Sequence, residues 1–128
     1  MKMEGIDMLH RKDAVRGYQE LYSGLIRLHV LHHACEESIY GLEMIQELSR
    51  HGYRIGPGTL YPILHAMEEK NWLRSDKELK KGRIRRVYRA TPSGRKALAA
   101  AKEKVQELFG ELFHERTPGL LSHRRKRC

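Results

Sequence analysis

The sequence predicts a mostly α-helical fold with one small β-hairpin, and three observations support this prediction. Apolar residues recur every three or four positions in four separate segments, which is the spacing of amphipathic helices. Between the third and fourth segments the period changes to that of strands, around a glycine-containing turn. No internal repeat or linker divides the 128 residues, so we expect a single domain.

The first two helices are predicted from apolar spacing and end signals. Residues 1–18 are polar and are expected to form an N-terminal arm or a short helix, and a longer helix is predicted over 19–35. A second helix is predicted over 39–51, with Ser38 as its N-cap and Gly52 as its stop signal.

The third helix follows a tight turn. Three glycines and a proline occur within residues 52–58, and Pro57 suits the first position of a helix that extends to about residue 71. Leu60, Leu64 and Met67 are spaced to face inward. Two helices joined by such a turn are typical of a helix-turn-helix.

A hairpin and a long helix complete the chain. Strands are predicted over 72–79 and 84–90, with the turn between them. Thr91 is the expected N-cap and Pro92 the first residue of the last helix. The predicted organisation is therefore a winged helix-turn-helix over 19–91, a C-terminal dimerisation helix over 92–116 and a basic tail over 117–128.

A narrow apolar stripe runs along the last helix with heptad-like steps of three and four. Such a stripe is too apolar to remain in water, so we expect it to form a homodimer interface. The residues expected in this interface are Leu98, Ala101, Val105, Leu108, Phe109 and Leu112.

The charge balance indicates a polyanionic partner. The chain has 25 Lys and Arg against 16 Asp and Glu, a net charge of +9. No segment approaches the length of a membrane span, and the cations cluster on the hairpin rather than along an amphipathic helix. Cys35 and Cys128 are too far apart in sequence for a CxxC pair or a disulfide framework. We therefore expect a cytoplasmic protein that binds double-stranded DNA, not a membrane.

The DNA contacts are expected on the third helix, which would enter the major groove, and on the basic hairpin, whose cations would neutralise phosphates. For Tyr61 the alternative is packing against the second helix, and for Ser38 it is capping alone. The candidate DNA-binding residues are Ser38, Tyr40, Gly58, Thr59, Tyr61, Pro62, His65, Lys80, Lys81, Arg83, Arg85 and Arg86.

Enzymatic chemistry is not expected, because the sequence contains no nucleophile–base pairing, no paired carboxylates at a cleft-forming spacing and no cofactor loop. His29, His32 and His33 have a helical spacing that can hold zinc. They have no acidic or cysteine partner in a tight pattern, so we predict no metal and no cofactor. A metal-responsive regulator remains a minor alternative.

Three motifs resemble those of the PadR-like transcriptional regulators. The segment 58–62, Gly-Thr-Leu-Tyr-Pro, with Leu64 and Glu68 after it, resembles the family signature. Residues 40–45 resemble the family's second-helix motif, and residues 82–91 resemble its wing. The three occur in the family's order and spacing, and the resemblance covers about residues 20–115.

This resemblance implies a homodimeric repressor that binds an inverted-repeat operator. In the family the C-terminal helix, helped by the N-terminal helix, forms the dimer, and a small, often aromatic, effector releases many members from DNA. The single C-terminal helix resembles the family's smaller subgroup. The alternative function is a winged-helix module that binds protein or organises DNA without sequence choice. The basic tail would add non-specific DNA affinity or remain a solvated end.

Overall fold

Four helices and a three-stranded antiparallel sheet form the fold in our computed structural model, which describes residues 4–114 and the side chains of residues 17–114. The predicted fold class is confirmed. The predicted basic tail over 117–128 lies outside the described residues. In chain order the elements are α1 (Glu4–Glu36), β1 (Ile39–Tyr40), α2 (Gly41–Arg50), α3 (Pro57–Glu69), β2 (Leu73–Lys80), β3 (Arg83–Ala90) and α4 (Pro92–Phe113).

Helix α1 is one continuous helix of 33 residues, so residues 4–18 of the predicted N-terminal segment continue into the helix predicted over 19–35 and are not separate from it. Apolar spacing predicted this helix from residue 19, but Leu21 and Leu25 are exposed, and the first buried residue among the described side chains of α1 is Ile26. Residues 4–18 contain no proline, so every residue of this segment has the backbone N–H that a helix requires. Among the described residues no helix, α1 included, is long and apolar enough to cross a membrane.

The start of α2 also differs from the prediction. Residues 39 and 40 form β1, which pairs with β3 so that Ile39 lies opposite Tyr88 and Tyr40 opposite Val87. Helix α2 therefore begins at Gly41, and its N-cap is the extended Tyr40 (φ −107°, ψ 145°), not Ser38. The sheet order is β1-β3-β2.

Helices α2 and α3 end in the same way. Gly52 (φ 91°) and Asn71 (φ 64°) adopt the left-handed conformation one residue beyond each C-cap. The amide of Tyr53 donates to the Leu48 carbonyl at 2.9 Å, and the amide of Trp72 donates to the Met67 carbonyl at 3.0 Å. These are Schellman motifs, and they confirm Gly52 as the stop signal of α2.

The core lies between the C-terminal half of α1, helices α2 and α3, and the sheet. Leu60, Leu64 and Met67 are at most 1% exposed, which confirms the predicted inward face of α3. Lys81 (φ 53°) and Gly82 (φ 77°) form the two-residue turn between β2 and β3. Positive φ at both positions matches the twist of the strands, so the hairpin closes tightly.

The N-terminus of α4 is anchored to the end of α3. The Thr91 hydroxyl accepts a hydrogen bond from the Gly94 amide at 2.9 Å, which confirms Thr91 as the N-cap. The Thr91 amide donates to the Trp72 carbonyl at 3.0 Å. That carbonyl lies so close to Gly94 that a Cβ there would be 2.1 Å from it. Gly94 is thus required for this approach.

We predict that Gly94→Ala lowers the free energy of unfolding by about 1–3 kcal/mol, because backbone must move to relieve the contact. Gly24→Ala is the control, since a Cβ there has nothing within 4 Å and the change should stabilise α1 by about 0.5–1 kcal/mol. Urea unfolding at one protein concentration measures both. Equal effects of the two substitutions would contradict this account of the junction.

Candidate nucleic-acid interface

The outer face of α3 is exposed beside the wing formed by β2 and β3. Thr59, Pro62 and His65 are spaced three residues apart and are all exposed, while Leu60 and Leu64 on the opposite face are buried. Gly58, at the start of the same helix, is exposed as well. The predicted contact residues of α3, apart from Tyr61, therefore share one solvent-facing surface.

Tyr61 is partly buried and packs against the start of α2. A Cβ at Gly41 would lie 2.3 Å from the Tyr61 hydroxyl oxygen and 2.5 Å from the ring carbon that bears it, Cζ. The structure therefore shows the alternative that the sequence left open, in which Tyr61 packs against α2. The ring also lines a cleft of about 280 Å³ shared with Tyr40 and the wing arginines Arg83, Arg85 and Arg86.

Tyr40 lies at the centre of a polar network at the base of the wing. Its hydroxyl donates to Glu78 Oε1 at 3.0 Å, and Arg89 Nη2 donates to Glu78 Oε2 at 2.9 Å. Lys80 Nζ lies 4.2 Å from the centroid of the Tyr40 ring and Arg85 Cζ lies 5.9 Å from it, so both cations face the ring.

These contacts shift two pKa values in opposite directions. The hydrogen bonds from Arg89 and Tyr40 lower the pKa of the Glu78 carboxyl, and loss of solvation and the nearby Glu78 raise the pKa of the Tyr40 phenol. At neutral pH Tyr40 is therefore a neutral donor to an ionised Glu78. The sequence predicted Tyr40 as a DNA-binding residue, and did not predict that its hydroxyl donates a hydrogen bond to Glu78.

The wing cations fall into two groups. Lys80 lies 3.5 Å from Glu43 Oε2 on α2, and Arg86 Nη1 donates to Ser75 Oγ at 2.9 Å. Lys81 lies in the turn, Arg83 directly follows it, and both are exposed. Because Lys80 pairs with Arg83 next to the turn, the wing tip carries both a cation that contacts the rest of the fold and cations that are exposed. Ser38 lies apart from this surface, half-buried beside a cleft that His33 and Glu47 also line.

A histidine cluster occupies the contact between α1 and α2. The rings of His29 and His51 are 4.6 Å apart between centroids, and Glu47 Oε2 lies 3.1 Å from His51 Nε2 and 3.7 Å from His33 Nε2. On α1 itself, Glu36 Oε2 lies 3.6 Å from His32 Nε2. The expectation that these histidines lack an acidic partner is thus wrong.

The cluster also shifts pKa values. Burial, followed by the neighbouring His51 and His33, lowers the pKa of His29, so its neutral form is favoured. The hydrogen bond with His51 is the largest cause that lowers the pKa of Glu47. Glu36 follows His32 by four residues and was visible in the sequence as a helical neighbour, whereas Glu47 and His51 meet the cluster only through the α1–α2 contact.

Of the residues predicted to form the dimer interface, two are partly buried within this chain and four are exposed. Leu98 packs against the core and Ala101 is half-buried. The four residues further along α4 that complete the predicted set are between 44% and 62% exposed: Val105, Leu108, Phe109 and Leu112. On α1 the apolar residues Tyr18, Leu21 and Leu25 are exposed too.

A groove of about 580 Å³ runs between α1 and α4. Its apolar walls are Leu25 and Leu28 on α1 and Leu98 and Val105 on α4, and His29 and His32 lie along the same groove. This groove connects the histidine cluster to the exposed stripe of α4.

Comparison with known proteins identifies relatives of this arrangement. The sequence model of the transcriptional regulator PadR-like family matches residues 30–100. The transcriptional regulator Rv3488 of Mycobacterium tuberculosis is 49% identical over 95 residues, which cover 74% of this chain and 89% of that protein.

Two solved structures share the fold. The structure of smu.1704 from Streptococcus mutans is 27% identical with a TM-score of 0.65, and the match covers 69% of this chain and 82% of that one. A PadR family transcriptional regulator from Eggerthella lenta matches with a TM-score of 0.69 over 86% of this chain and 97% of its own. At 24% identity, the second likeness concerns the fold alone.

We predict that Gly41→Ala lowers the free energy of unfolding by about 1–3 kcal/mol, because the new methyl group displaces the Tyr61 ring. In a Tyr61→Ala background the same change should have a much smaller effect, which gives a coupling energy of about 1 kcal/mol or more. Gly58→Ala is the control, since a Cβ at that position meets nothing within 4 Å. Additive effects of the two substitutions would contradict the proposed contact.

Proposed function

The chain belongs to the PadR-like family of transcriptional regulators, and we propose that it acts in the cytoplasm as a homodimeric repressor of an inverted-repeat operator, released by a small effector. Members of this family are DNA-binding regulators, not enzymes. The observation that carries the proposal is the exposed face of α3 directly beside a cationic wing.

Helix α3 is the proposed recognition helix. Thr59, Pro62 and His65 project from its exposed face, and Gly58 allows the backbone at its N-terminus to approach DNA closely. A hydroxyl and an imidazole can hydrogen-bond base edges or phosphates in the major groove. Tyr61 would contribute mainly by holding α3 against α2, with its ring edge facing the cleft toward the wing.

The wing supplies the affinity that does not depend on sequence. Lys81 and Arg83 at the exposed tip would neutralise phosphates beside the major groove. Lys80, Arg85 and Arg86 would extend this surface toward α3, oriented by Tyr40, Glu43 and Ser75 as described above. An arginine held in place before binding loses less side-chain entropy when it meets a phosphate.

The proposed dimer interface is the exposed apolar surface of α4 with that of α1. Leu108, Phe109 and Leu112 form a contiguous surface with Phe113, whose ring centroid lies 4.7 Å from that of Phe109. Such a surface is unfavourable in water and favours a symmetric partner. Two-fold symmetry would place the two α3 helices at half-sites about one helical turn apart, roughly 34 Å.

The groove between α1 and α4 is the proposed effector site. It is large enough for a small organic molecule and mostly apolar. Its polar lining residues are His29 and His32 on α1 and Lys102, Glu103 and Gln106 on α4. A ligand that wedges between these helices would favour one spacing of the two halves of the dimer. Affinity for the operator would fall because the ligand binds one arrangement better than the other.

A module that organises DNA without sequence choice is the second candidate, because the wing cations alone would bind any duplex. The two functions are separated by titrating the protein against its own upstream DNA and against scrambled DNA of equal length. A repressor should favour the upstream DNA by about a thousandfold or more. A ratio near one would support the module instead.

The same titration tests the wing. Replacing Arg83, Arg85 and Arg86 together by Ala should make the slope of log K against log salt less steep by about 2–3, since each neutralised phosphate contributes about 0.9. The control replaces three exposed cations of α4, Arg95, Lys96 and Lys104, by Ala. If both triple variants flatten the slope alike, the wing has no special role.

We predict that Leu108→Glu yields monomers at micromolar concentration, because it puts a charge in the centre of the proposed interface. Operator affinity should fall on the order of a hundredfold or more once the two half-sites no longer bind together. Ala100→Glu is the control, since Ala100 is exposed on α4 outside the stripe. Sedimentation equilibrium measures the mass, and a Leu108→Glu variant that remains dimeric would exclude this interface.

A further inference from the structure

The C-terminal end of α1 brings three possible metal ligands together. One ligand atom from each of His32, His33 and Glu36 lies within 4.8 Å of the other two. Helical geometry explains this grouping, because Glu36 follows His33 by three residues and His32 by four. The rings of His32 and His33 are 5.0 Å apart between centroids, and their planes are inclined to each other by 70°.

These donor atoms suit a divalent transition-metal ion of borderline softness, such as zinc. Two imidazoles and one carboxylate are a ligand set that zinc binds, with a further position left for water or another ligand. The side chains of His32 and Glu36 are 49% and 63% exposed, so an ion can reach them without unfolding the helix. The side chain of His33 is 28% exposed and is held from the other side.

Glu47 on helix α2 contacts one of these three residues, His33. Glu47 Oε2 lies 3.7 Å from His33 Nε2, and the same oxygen lies 3.1 Å from His51 Nε2. A carboxylate beside a metal-binding imidazole commonly fixes the orientation of the ring and raises its basicity. Glu47 therefore connects His33 to the first helix of the helix-turn-helix.

We propose that His32, His33 and Glu36 form a binding site for zinc or a similar dication, and that Glu47 transmits its occupancy to α2. The ion draws the three side chains together and so restrains the contact between His33 and Glu47. Because α1 also lines the groove beside α4, occupancy alters how the dimer helices and the helix-turn-helix unit sit against each other. The effect on DNA rests on the proposed repressor function, whereas the site itself does not.

The site is tested with untagged protein from which metals have been removed by chelation. Zinc binding is measured by calorimetry, and cobalt is used as a spectroscopic probe of tetrahedral coordination in the visible range. The variants His32→Ala, His33→Ala and Glu36→Gln should each weaken zinc binding at least about tenfold and alter the cobalt spectrum. Glu37→Gln, next to Glu36 but outside the group, should bind zinc within about twofold of the unchanged protein.

Two results would overturn the site: absence of saturable one-to-one zinc binding, or equal weakening by Glu36→Gln and Glu37→Gln. Circular dichroism of each variant checks that it is folded. Glu47→Gln tests whether Glu47 orients His33. Loss of this carboxylate should weaken zinc binding, but the cobalt spectrum should keep its band positions because the three metal ligands are unchanged.

The link to DNA is measured separately. Zinc should change the affinity of the unchanged protein for its upstream DNA severalfold, with no change for Glu36→Gln. Bound zinc without any change in DNA affinity would overturn the coupling and leave the site. If the upstream DNA is not selected over scrambled DNA at all, the repressor proposal fails, while the zinc titration still decides the metal site.

Discussion

The close contact between Gly41 and Tyr61 is the constraint on which the proposed DNA-binding surface depends. Gly41 directly follows β1, and β1 is held by β3, so the first residue of α2 has a position set by the sheet. The Tyr61 ring lies against that residue because no side chain is there to exclude it. One point of the chain thus fixes α2, α3 and the wing relative to one another, and the exposed face of α3 takes its direction from it.

The acidic residue Glu78 orders several of the polar groups around this point. Glu78 accepts hydrogen bonds from both Tyr40 and Arg89, and Tyr40 in turn lies beside Lys80. An acidic group in a cationic wing lowers the total positive charge available to phosphate. It also orders the side chains of Tyr40 and Arg89, while Lys81 and Arg83 remain exposed for the proposed contact with DNA.

On the other side of the protomer, helices α1 and α4 expose apolar side chains to solvent. Exposed aromatic and aliphatic residues cover the last turns of α4, and α1 adds exposed tyrosines and leucines. The histidine cluster and the apolar groove lie between this surface and α2. A ligand or an ion bound here would be separated from α3, the proposed recognition helix, by only two helix contacts, α1 with α2 and α2 with α3.

The sequence by itself determined the features that depend on neighbours within a few residues. These include the inward face of α3, the glycine stop of α2, the cap at Thr91 and the turn of the hairpin, since each follows from helical spacing or from local backbone preference. Local patterns also identified the exposed face of α3 and the basic wing.

Only the tertiary structure decided the rest. Residues 39 and 40 form a strand rather than the first turn of a helix because β3, distant in sequence, offers them hydrogen bonds. Glu47 and His51 join the histidines of α1 because α2 packs across that helix, and Glu78 faces Tyr40 because both flank β3. Contacts of this kind depend on which surfaces the fold brings together, and periodicity along one segment carries no information about a partner on another.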